Sequence, residues 1–177
     1  MAQFDASIPN KHFEVRRLEA RDVESYRGLR LEGLQSHPEA FGASLEDEVD
    51  KPDAWWTERL ESNVVFGGWI DNSPLLGVAG FRMPGGVKHR HRGELWGMYV
   101  RPAGRGTGLA VSLAQRVIEH ARPLVEELCL TVVASNTAAH RLYSAAGFEP
   151  YGLARRALKV GNTYYDEALM ALSLRRP

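Results

Sequence analysis

The segment with the clearest chemical potential is a glycine loop between a predicted strand and a predicted helix, Val100-Arg101-Pro102-Ala103-Gly104-Arg105-Gly106-Thr107-Gly108-Leu109-Ala110. Gly106 and Gly108 have no side chain to block a ligand, so the amides at the start of the helix can point together at an anion, which the helix dipole also favours. One dipole interaction is worth only about 0.3 to 1 kcal/mol, so several amides and Arg105 would have to act together on a pyrophosphate. The loop therefore predicts phosphate binding, with a plain strand-to-helix turn as the alternative.

Two common nucleotide motifs do not fit this loop. A dinucleotide fingerprint needs a third glycine, but Leu109 stands three residues after Gly106 and Val111 stands three residues after Gly108. A nucleoside-triphosphate loop needs a lysine, and the sequence has none from Met98 to Val133. The phosphate would therefore belong to a different kind of ligand.

A second segment, together with the glycine loop, indicates which class of protein this chain resembles. Arg105 to Ala110 resembles the Arg/Gln-x-x-Gly-x-Gly/Ala motif of the GNAT superfamily of acyl-CoA-dependent N-acetyltransferases. About 30 residues later, Asn136 to Phe148 fills every position of a sequence that is similar to the family signature Asn-x-x-Ala-x-x-Leu-Tyr-x-x-x-Gly-Phe. The closing segment Tyr164 to Met170 is similar to the last strand of the family. The resemblance covers about residues 13 to 174.

The periodicity of the chain and the resemblance together predict an α+β fold. The resemblance implies one GNAT-like domain, in which a mixed, mostly antiparallel sheet of about seven strands is flanked by helices and opens in a V between its two central strands. The predicted strands are Phe13 to Leu18, Val64 to Ile70, Leu75 to Met83, Glu94 to Val100, Leu128 to Val133, Tyr151 to Val160 and Thr163 to Leu174. The predicted helices begin at Asp22, Pro38, Pro52, Gly108 and Asn136.

The resemblance implies acetyl-CoA as co-substrate and no metal. Backbone groups of Met98, Tyr99 and Val100 would contact the pantetheine arm, and Asn136 and Ala139 would lie along it. Asn136 could instead cap its helix. The amides of the loop would hold the pyrophosphate, and these belong to Arg105, Gly106, Thr107, Gly108, Leu109 and Ala110.

The same resemblance points to the groups that move protons. Attack by an amine on the thioester expels a thiolate whose conjugate acid has a pKa near about 8.5, and a phenol with a pKa near about 10 can protonate it. Tyr143 matches the tyrosine acid of the family. Glu94 is the first candidate for the base that accepts the proton of the amine, and His89 and His91 are the alternatives because their ordinary pKa is near about 6.5.

The acceptor is expected to be a primary amine, either a small molecule or a protein N-terminus or lysine. By the resemblance, one wall of its pocket would come from residues 37 to 45 and from Trp55 or Trp56. No residue identifies the amine itself. The resemblance also leaves room for a homodimer.

Composition limits the other possibilities. The chain has 177 residues, with 44% hydrophobic residues and 22 basic side chains against 22 acidic ones. A net charge of zero gives no general electrostatic reason to expect nucleic acid or an anionic membrane as partner. The single cysteine, Cys129, excludes an internal disulfide. We expect a cytoplasmic protein with a loose tail over residues 1–12 and one domain over 13–177.

Two other functions compete with the acetyltransferase. A sensor or regulatory module would keep the acyl-CoA site without turnover, although it would have no need of the Tyr143 proton donor. A nucleotide or nucleic-acid binder would use the glycine loop and the basic run Lys88 to Arg92. The neutral charge and the failed nucleotide motifs disfavour that second alternative.

Overall fold

A computed structural model describes residues 13–175, and this part of the chain forms seven strands and five helices. The strands are β1 (Phe13–Arg17), β2 (Val64–Ile70), β3 (Gly77–Arg82), β4 (Arg92–Val100), β5 (Glu127–Val133), β6 (Glu149–Val160) and β7 (Thr163–Ser173). The helices are α1 (Val23–Ser36), α2 (Leu45–Glu48), α3 (Asp53–Ser62), α4 (Leu109–Ala121) and α5 (Thr137–Ala145). The predicted tail, residues 1–12, lies outside the described residues.

The prediction of one helix that begins at Pro38 and continues to Asp47 is wrong, because the structure divides this segment in two. Pro38–Ala40 is a short 3-10 turn, and α2 begins separately at Leu45. The cause is local, because the hydroxyl of Ser44 accepts a hydrogen bond from the amide of Asp47 and the carboxylate of Asp47 accepts one from the amide of Ser44. This capping box starts a new helix at that position.

The strands form one sheet in the order β1-β2-β3-β4-β5-β7-β6. Every neighbouring pair is antiparallel except β4 and β5, which run parallel. That parallel pairing covers only three residues of each strand and ends at Glu94 and Cys129. The sheet therefore confirms the predicted α+β class and the mostly antiparallel arrangement.

A β-bulge in β4 reorganises the strand just beyond this point. Three residue steps of β4, from Trp96 to Tyr99, lie opposite only two steps of β3. Gly97 takes a φ of +63°, a left-handed conformation that glycine adopts without a steric penalty. After the bulge, Tyr99 packs in the same cluster as Trp96, and Met98 and Val100 pack on the opposite face.

Each face of the sheet supports its own hydrophobic core. On one face, α4 buries Leu109, Leu113 and Val117 completely against the strands, as its helical spacing predicts. On the other face, α1 and α3 bury Leu29 and Trp56. Among residues 13–175, no helix is long and apolar enough to cross a membrane.

A buried ionic network joins the three helices of the second face. The guanidinium of Arg30 on α1 donates two hydrogen bonds to the carboxylate of Glu48 on α2, at 3.0 and 2.9 Å. Arg59 on α3 lies 3.3 Å from the same carboxylate, and its Nε donates to the hydroxyl of Tyr26 at 3.1 Å. The Arg30 guanidinium also lies 4.9 Å from the ring centre of Phe41. The network therefore fixes the segment that connects α1 to α2.

We expect Glu48→Gln to lower the free energy of unfolding by about 3 to 5 kcal/mol, because it leaves the buried Arg30 charge without its partner. Urea unfolding measures the loss. The matched control is Glu119→Gln, which breaks an exposed pair with Arg116 and should cost no more than about 1 kcal/mol. Equal losses in the two variants would contradict the role of the network.

Candidate active site

A cavity of about 590 Å³ opens where β4 and β5 part. Its sides are Leu95 to Val100 on β4 and Thr131 to Val133 on β5, and its lining continues into the glycine loop, α5 and the turn after α1. The remaining lining residues are His37, Glu39, Ala40, Phe41, Arg105, Gly106, Ala110, Ser135, Asn136, Ala138, Ala139, Leu142 and Tyr143.

The parting of the strands exposes backbone hydrogen-bonding groups to this cavity. Beyond Glu94 and Cys129 the two strands no longer pair with each other. A backbone amide or carbonyl that loses its ladder partner needs another one, from water or from a ligand. An extended ligand that carries amide groups of its own can fill such a gap as an added strand does.

The glycine loop lies at the carboxyl end of β4 and leads directly into α4. The hydroxyl of Thr107 donates to the carbonyl of Gly104 at 2.6 Å, which closes the loop. Gly108 caps α4 with a φ of +97°, and a side chain would be strained there. The amides of the first helical turn have no helical carbonyl to bind, and a Cβ added at Gly106 would meet no atom within 4 Å. The amide of Leu109 donates to the hydroxyl of Thr107 at 3.3 Å, and the amides of the next two residues point from the start of α4 beside open space, as an anion site requires.

Arg105 connects this loop to the opposite wall of the cavity. Its Nε donates to the carbonyl of Val100 at 3.0 Å, and its Nη2 lies 3.1 Å from Nε2 of His37. Because a guanidinium only donates, Nε2 of His37 must be the acceptor. The predicted contact of Arg105 with phosphate stays a prediction.

The predicted cofactor residues divide into two groups. Most of them line the cavity, namely Met98, Tyr99, Val100, Arg105, Gly106, Ala110, Asn136, Ala139 and Tyr143. Thr107, Gly108 and Leu109 do not line it, and the side chain of Leu109 is fully buried in the core.

Helix α5 places Asn136 and Tyr143 on one side of the cavity. The side-chain oxygen of Asn136 accepts a hydrogen bond from the amide of Ala139 at 3.1 Å. Asn136 therefore caps the helix, which is the predicted alternative to a contact with pantetheine. Tyr143 is only 6% exposed, and its ring meets Phe148 edge to face at 5.8 Å between centroids. Burial raises the pKa of the Tyr143 phenol above its ordinary value, so this group carries its proton at neutral pH.

The three candidates for the base lie outside this cavity. The carboxylate of Glu94 accepts a hydrogen bond from Nε of Arg82 at 2.7 Å. His89 lies in an exposed turn, and His91 lines a separate groove beside Leu124. None of these three side chains is among the residues that line the cavity, and their catalytic roles stay predictions.

The wall opposite the glycine loop is aromatic and carries one carboxylate. The ring of Tyr99 lies 6.1 Å from that of His37 and 6.5 Å from that of Phe41, and Glu39 lines the cavity beside them. Trp56 is fully buried in the core and Trp55 packs beside it, so neither tryptophan lines the cavity.

Sequence reasoning missed several residues of the lining, and two of them carry polar groups. Trp96 lines the cavity from β4, between the guanidinium groups of Arg59 and Arg82 at 5.0 and 5.8 Å from its ring. Thr131 lines it from β5. A polar residue in the middle of the apolar run Leu128 to Val133 was the available signal for Thr131. In the part of the chain that the structure describes, no cluster of side chains could hold a metal ion.

Comparison with known proteins gives a consistent result. The model of the acetyltransferase (GNAT) family matches residues 30–148. A GNAT-family acetyltransferase from Streptococcus pneumoniae superposes with a TM-score of 0.80 at 20% identity, over 92% of this chain and 99% of that one. YncA from Salmonella typhimurium, whose structure contains its cofactor acetyl-CoA, superposes with a TM-score of 0.78 at 21% identity, over 94% and 96%.

A third solved structure has a narrower function in its name. It is the ribosomal-protein-alanine N-acetyltransferase from Brucella melitensis, with a TM-score of 0.75 at 21% identity over 90% of this chain and 99% of that one. At sequence identities this low, the similarity to these three structures shows a shared fold only. No curated protein sequence is similar enough to count as a match. The family match spans the glycine loop, the cavity and α5, and on that evidence the chain belongs to the GNAT acetyltransferase family.

Proposed function

We propose that the protein is an N-acetyltransferase that moves the acetyl group of acetyl-CoA to a primary amine by direct attack. One observation carries the proposal. A single cavity brings together the glycine loop at the start of α4, the open edges of β4 and β5, and the protonated phenol of Tyr143. These features correspond to the phosphate, the amide-containing arm and the leaving thiolate of the co-substrate.

The residues present fit acetyl-CoA. The amides from Gly106 to Ala110 would hold the pyrophosphate, because they lie at the positive end of α4 beside open space. The backbone of Met98 to Val100 would contact the pantetheine arm from β4. Asn136 and Ala139 would contact it from α5, since both line the same cavity.

The chemistry needs one proton donor and one proton acceptor. Acetyl-CoA supplies an activated acetyl group, and attack by the amine forms the carbon–nitrogen bond and breaks the carbon–sulfur bond. The thiolate that leaves is protonated by Tyr143, whose phenol carries its proton at neutral pH. The amine must lose a proton at the same time. Glu94 is the candidate that the sequence provides for this role, although Arg82 engages its carboxylate.

The aromatic wall is the proposed side of entry for the amine. Tyr99, Phe41 and the carboxylate of Glu39 suit an ammonium group on approach, because aromatic faces and carboxylates both attract cations. The acceptor is a small-molecule amine or an amino group of a protein. The name of the Brucella melitensis neighbour is one example of the second kind.

Two measurements separate the enzyme from the acyl-CoA sensor. Acetyl-CoA should raise the melting temperature of the protein more than ATP or NAD does. Addition of a panel of primary amines should then release free thiol. Stabilisation by acetyl-CoA without thiol release from any amine would favour the sensor.

We expect Tyr143→Phe to keep the affinity for acetyl-CoA and to lower turnover by about 10²- to 10⁴-fold, because it removes the proton donor and little packing. Steady-state kinetics with the best amine of the panel checks the loss. Tyr164→Phe is the control, since Tyr164 is an exposed residue of β7 that does not line the cavity. Turnover at the wild-type rate in Tyr143→Phe would mean that water protonates the thiolate.

We expect Gly106→Ala to weaken acetyl-CoA binding by about tenfold or more, because the new Cβ enters the space proposed for the pyrophosphate. The matched control is Gly161→Ala in the turn between β6 and β7. Both glycines have a positive φ, +70° and +58°, and an added Cβ at either one meets no atom within 4 Å. The two variants should therefore lose similar stability, about 1 to 2 kcal/mol. Calorimetric titration that finds the same affinity in both variants would contradict the placement of the phosphates.

A further inference from the structure

A polar pair lies on the face of the sheet that the aromatic wall covers. Leu130 and Val132 of β5 are buried in the core beside α4, so Thr131 between them points to the opposite face, where it lines the cavity. Its hydroxyl lies close enough to the carboxylate of Glu167 on β7 to lower the pKa of that carboxyl group. The pair thus connects the cavity to a carboxylate one strand away.

The register of the sheet explains this contact. Val133 lies opposite Glu167 and Thr131 lies opposite Leu169 across the antiparallel pair of β5 and β7. Ala168 and Met170 point into the core beside α4, so Glu167 points to the same face as Thr131. A diagonal neighbour on the same face is within reach of a glutamate side chain.

Glu167 has no cationic partner in the described part of the chain. No basic side chain within residues 13–175 forms an ion pair with it, whereas Arg82 pairs with Glu94 and Arg92 with Glu127. Its half-buried position raises the pKa of its carboxyl group, and the nearby hydroxyl of Thr131 offsets only part of that rise. A carboxylate in this condition accepts a proton more readily than an ordinary one.

The titratable and charged groups around Glu167 come from four elements. On β7 they are Tyr165 and Asp166, and the carboxylate of Asp166 accepts a hydrogen bond from the amide of Arg156 at 2.7 Å. On β6 the guanidinium of Arg156 stacks at 3.9 Å on Tyr164, which points to the other face. Arg155 lies on β6, and Cys129 on β5 accepts a hydrogen bond from Arg92 at 3.0 Å. The last two groups, His37 and Glu39, lie before α2 and are 3.6 Å apart.

We propose that Glu167, acting through the hydroxyl of Thr131, receives the proton that the acceptor amine loses. The inference rests on the proposed acetyltransferase function and assigns a step of it. A proton of the bound ammonium group passes to Oγ1 of Thr131 as the hydroxyl proton of Thr131 passes to Glu167. The nitrogen lone pair that this frees forms the bond to the acetyl carbon, and the electrons of the carbon–sulfur bond leave with sulfur, which Tyr143 protonates. The second proton that the nitrogen loses returns to Tyr143 through water. Exchange with water then restores the starting protonation states.

The pH profile of the kcat/KM for an alkylamine tests the relay. At about pH 7, Glu167→Gln and Thr131→Val should each lower the kcat/KM by about 10²- to 10⁴-fold, the usual contribution of a positioned base. Without the relay, the variants can use only acceptor molecules that are already neutral amines in solution. Below the amine pKa of about 10, the neutral fraction of the acceptor grows tenfold per pH unit. The deficit should therefore shrink as the pH rises, whereas a merely structural role would give a deficit that does not change with pH.

Two further variants serve as matched controls. Thr131→Ser keeps the hydroxyl and should retain most of the wild-type rate and its profile. Glu119→Gln removes an exposed carboxylate of α4 outside the cavity and should keep the wild-type profile as well. A wild-type profile in Glu167→Gln, a deficit that is constant with pH, or a lost ionisation in Glu94→Gln would each overturn the relay. Failure of the wild-type protein to release thiol with any amine would overturn the acetyltransferase proposal, and the relay with it.

A stability measurement gives an independent readout. Burial makes the pKa of Glu167 higher in the folded state than in the unfolded state, where it is about 4.3. The free energy of unfolding therefore falls as the pH rises above that unfolded value. Glu167→Gln removes that loss of stability, so at about pH 8 the variant should melt at the same temperature as the wild type or higher. A lower melting temperature in the variant would show that Glu167 stabilises the fold, and would count against a functional reason for its position.

Discussion

The chemistry of this protein depends on one constraint, the early end of the parallel ladder between β4 and β5. The two strands share only three residue pairs and then separate. Each remains paired on its outer side, β4 with β3 as far as Val100 and β5 with β7 along its whole length. The outer pairs hold the two strands in place while their inner edges stay open, and backbone groups on those edges lack a hydrogen-bond partner in the sheet. A ligand that hydrogen-bonds to these groups is therefore bound favourably, which explains why the candidate site lies in the middle of the sheet and not in a loop.

The two faces of the sheet contribute different parts of the site. On the α4 face, the core places the glycine loop at the end of β4 and the phenol of Tyr143 at the side of the cavity. On the opposite face, the Arg30–Glu48 network anchors the segment that forms the aromatic wall. Arg105 joins the two through His37. The proposed co-substrate site and acceptor wall are therefore parts of one connected structure, although they rest on separate cores.

The local parts of this arrangement could be predicted from the sequence, and the long-range parts could not. The glycine turn that begins α4 and the cap that begins α5 are built within a few residues, so the spacing of Gly106 to Gly108 and of Asn136 to Tyr143 was enough to predict them. The pairing of Glu94 with Arg82 depends on strand register, which periodicity does not fix. The contact between Thr131 and Glu167 joins strands that are separated by α5 and β6, and for the same reason the sequence gives no sign of it.

The most direct test of the account is to map the amides that respond to acetyl-CoA by nuclear magnetic resonance of the ¹⁵N-labelled protein. If the gap between β4 and β5 is the co-substrate site, the largest shifts should fall on Gly97 to Val100 and on Gly106 to Val111. Smaller shifts should appear at the start of α5, and the exposed Lys88 to His91 segment should not respond. Shifts that concentrate in that segment, or no response of the glycine loop at saturating acetyl-CoA, would contradict the account.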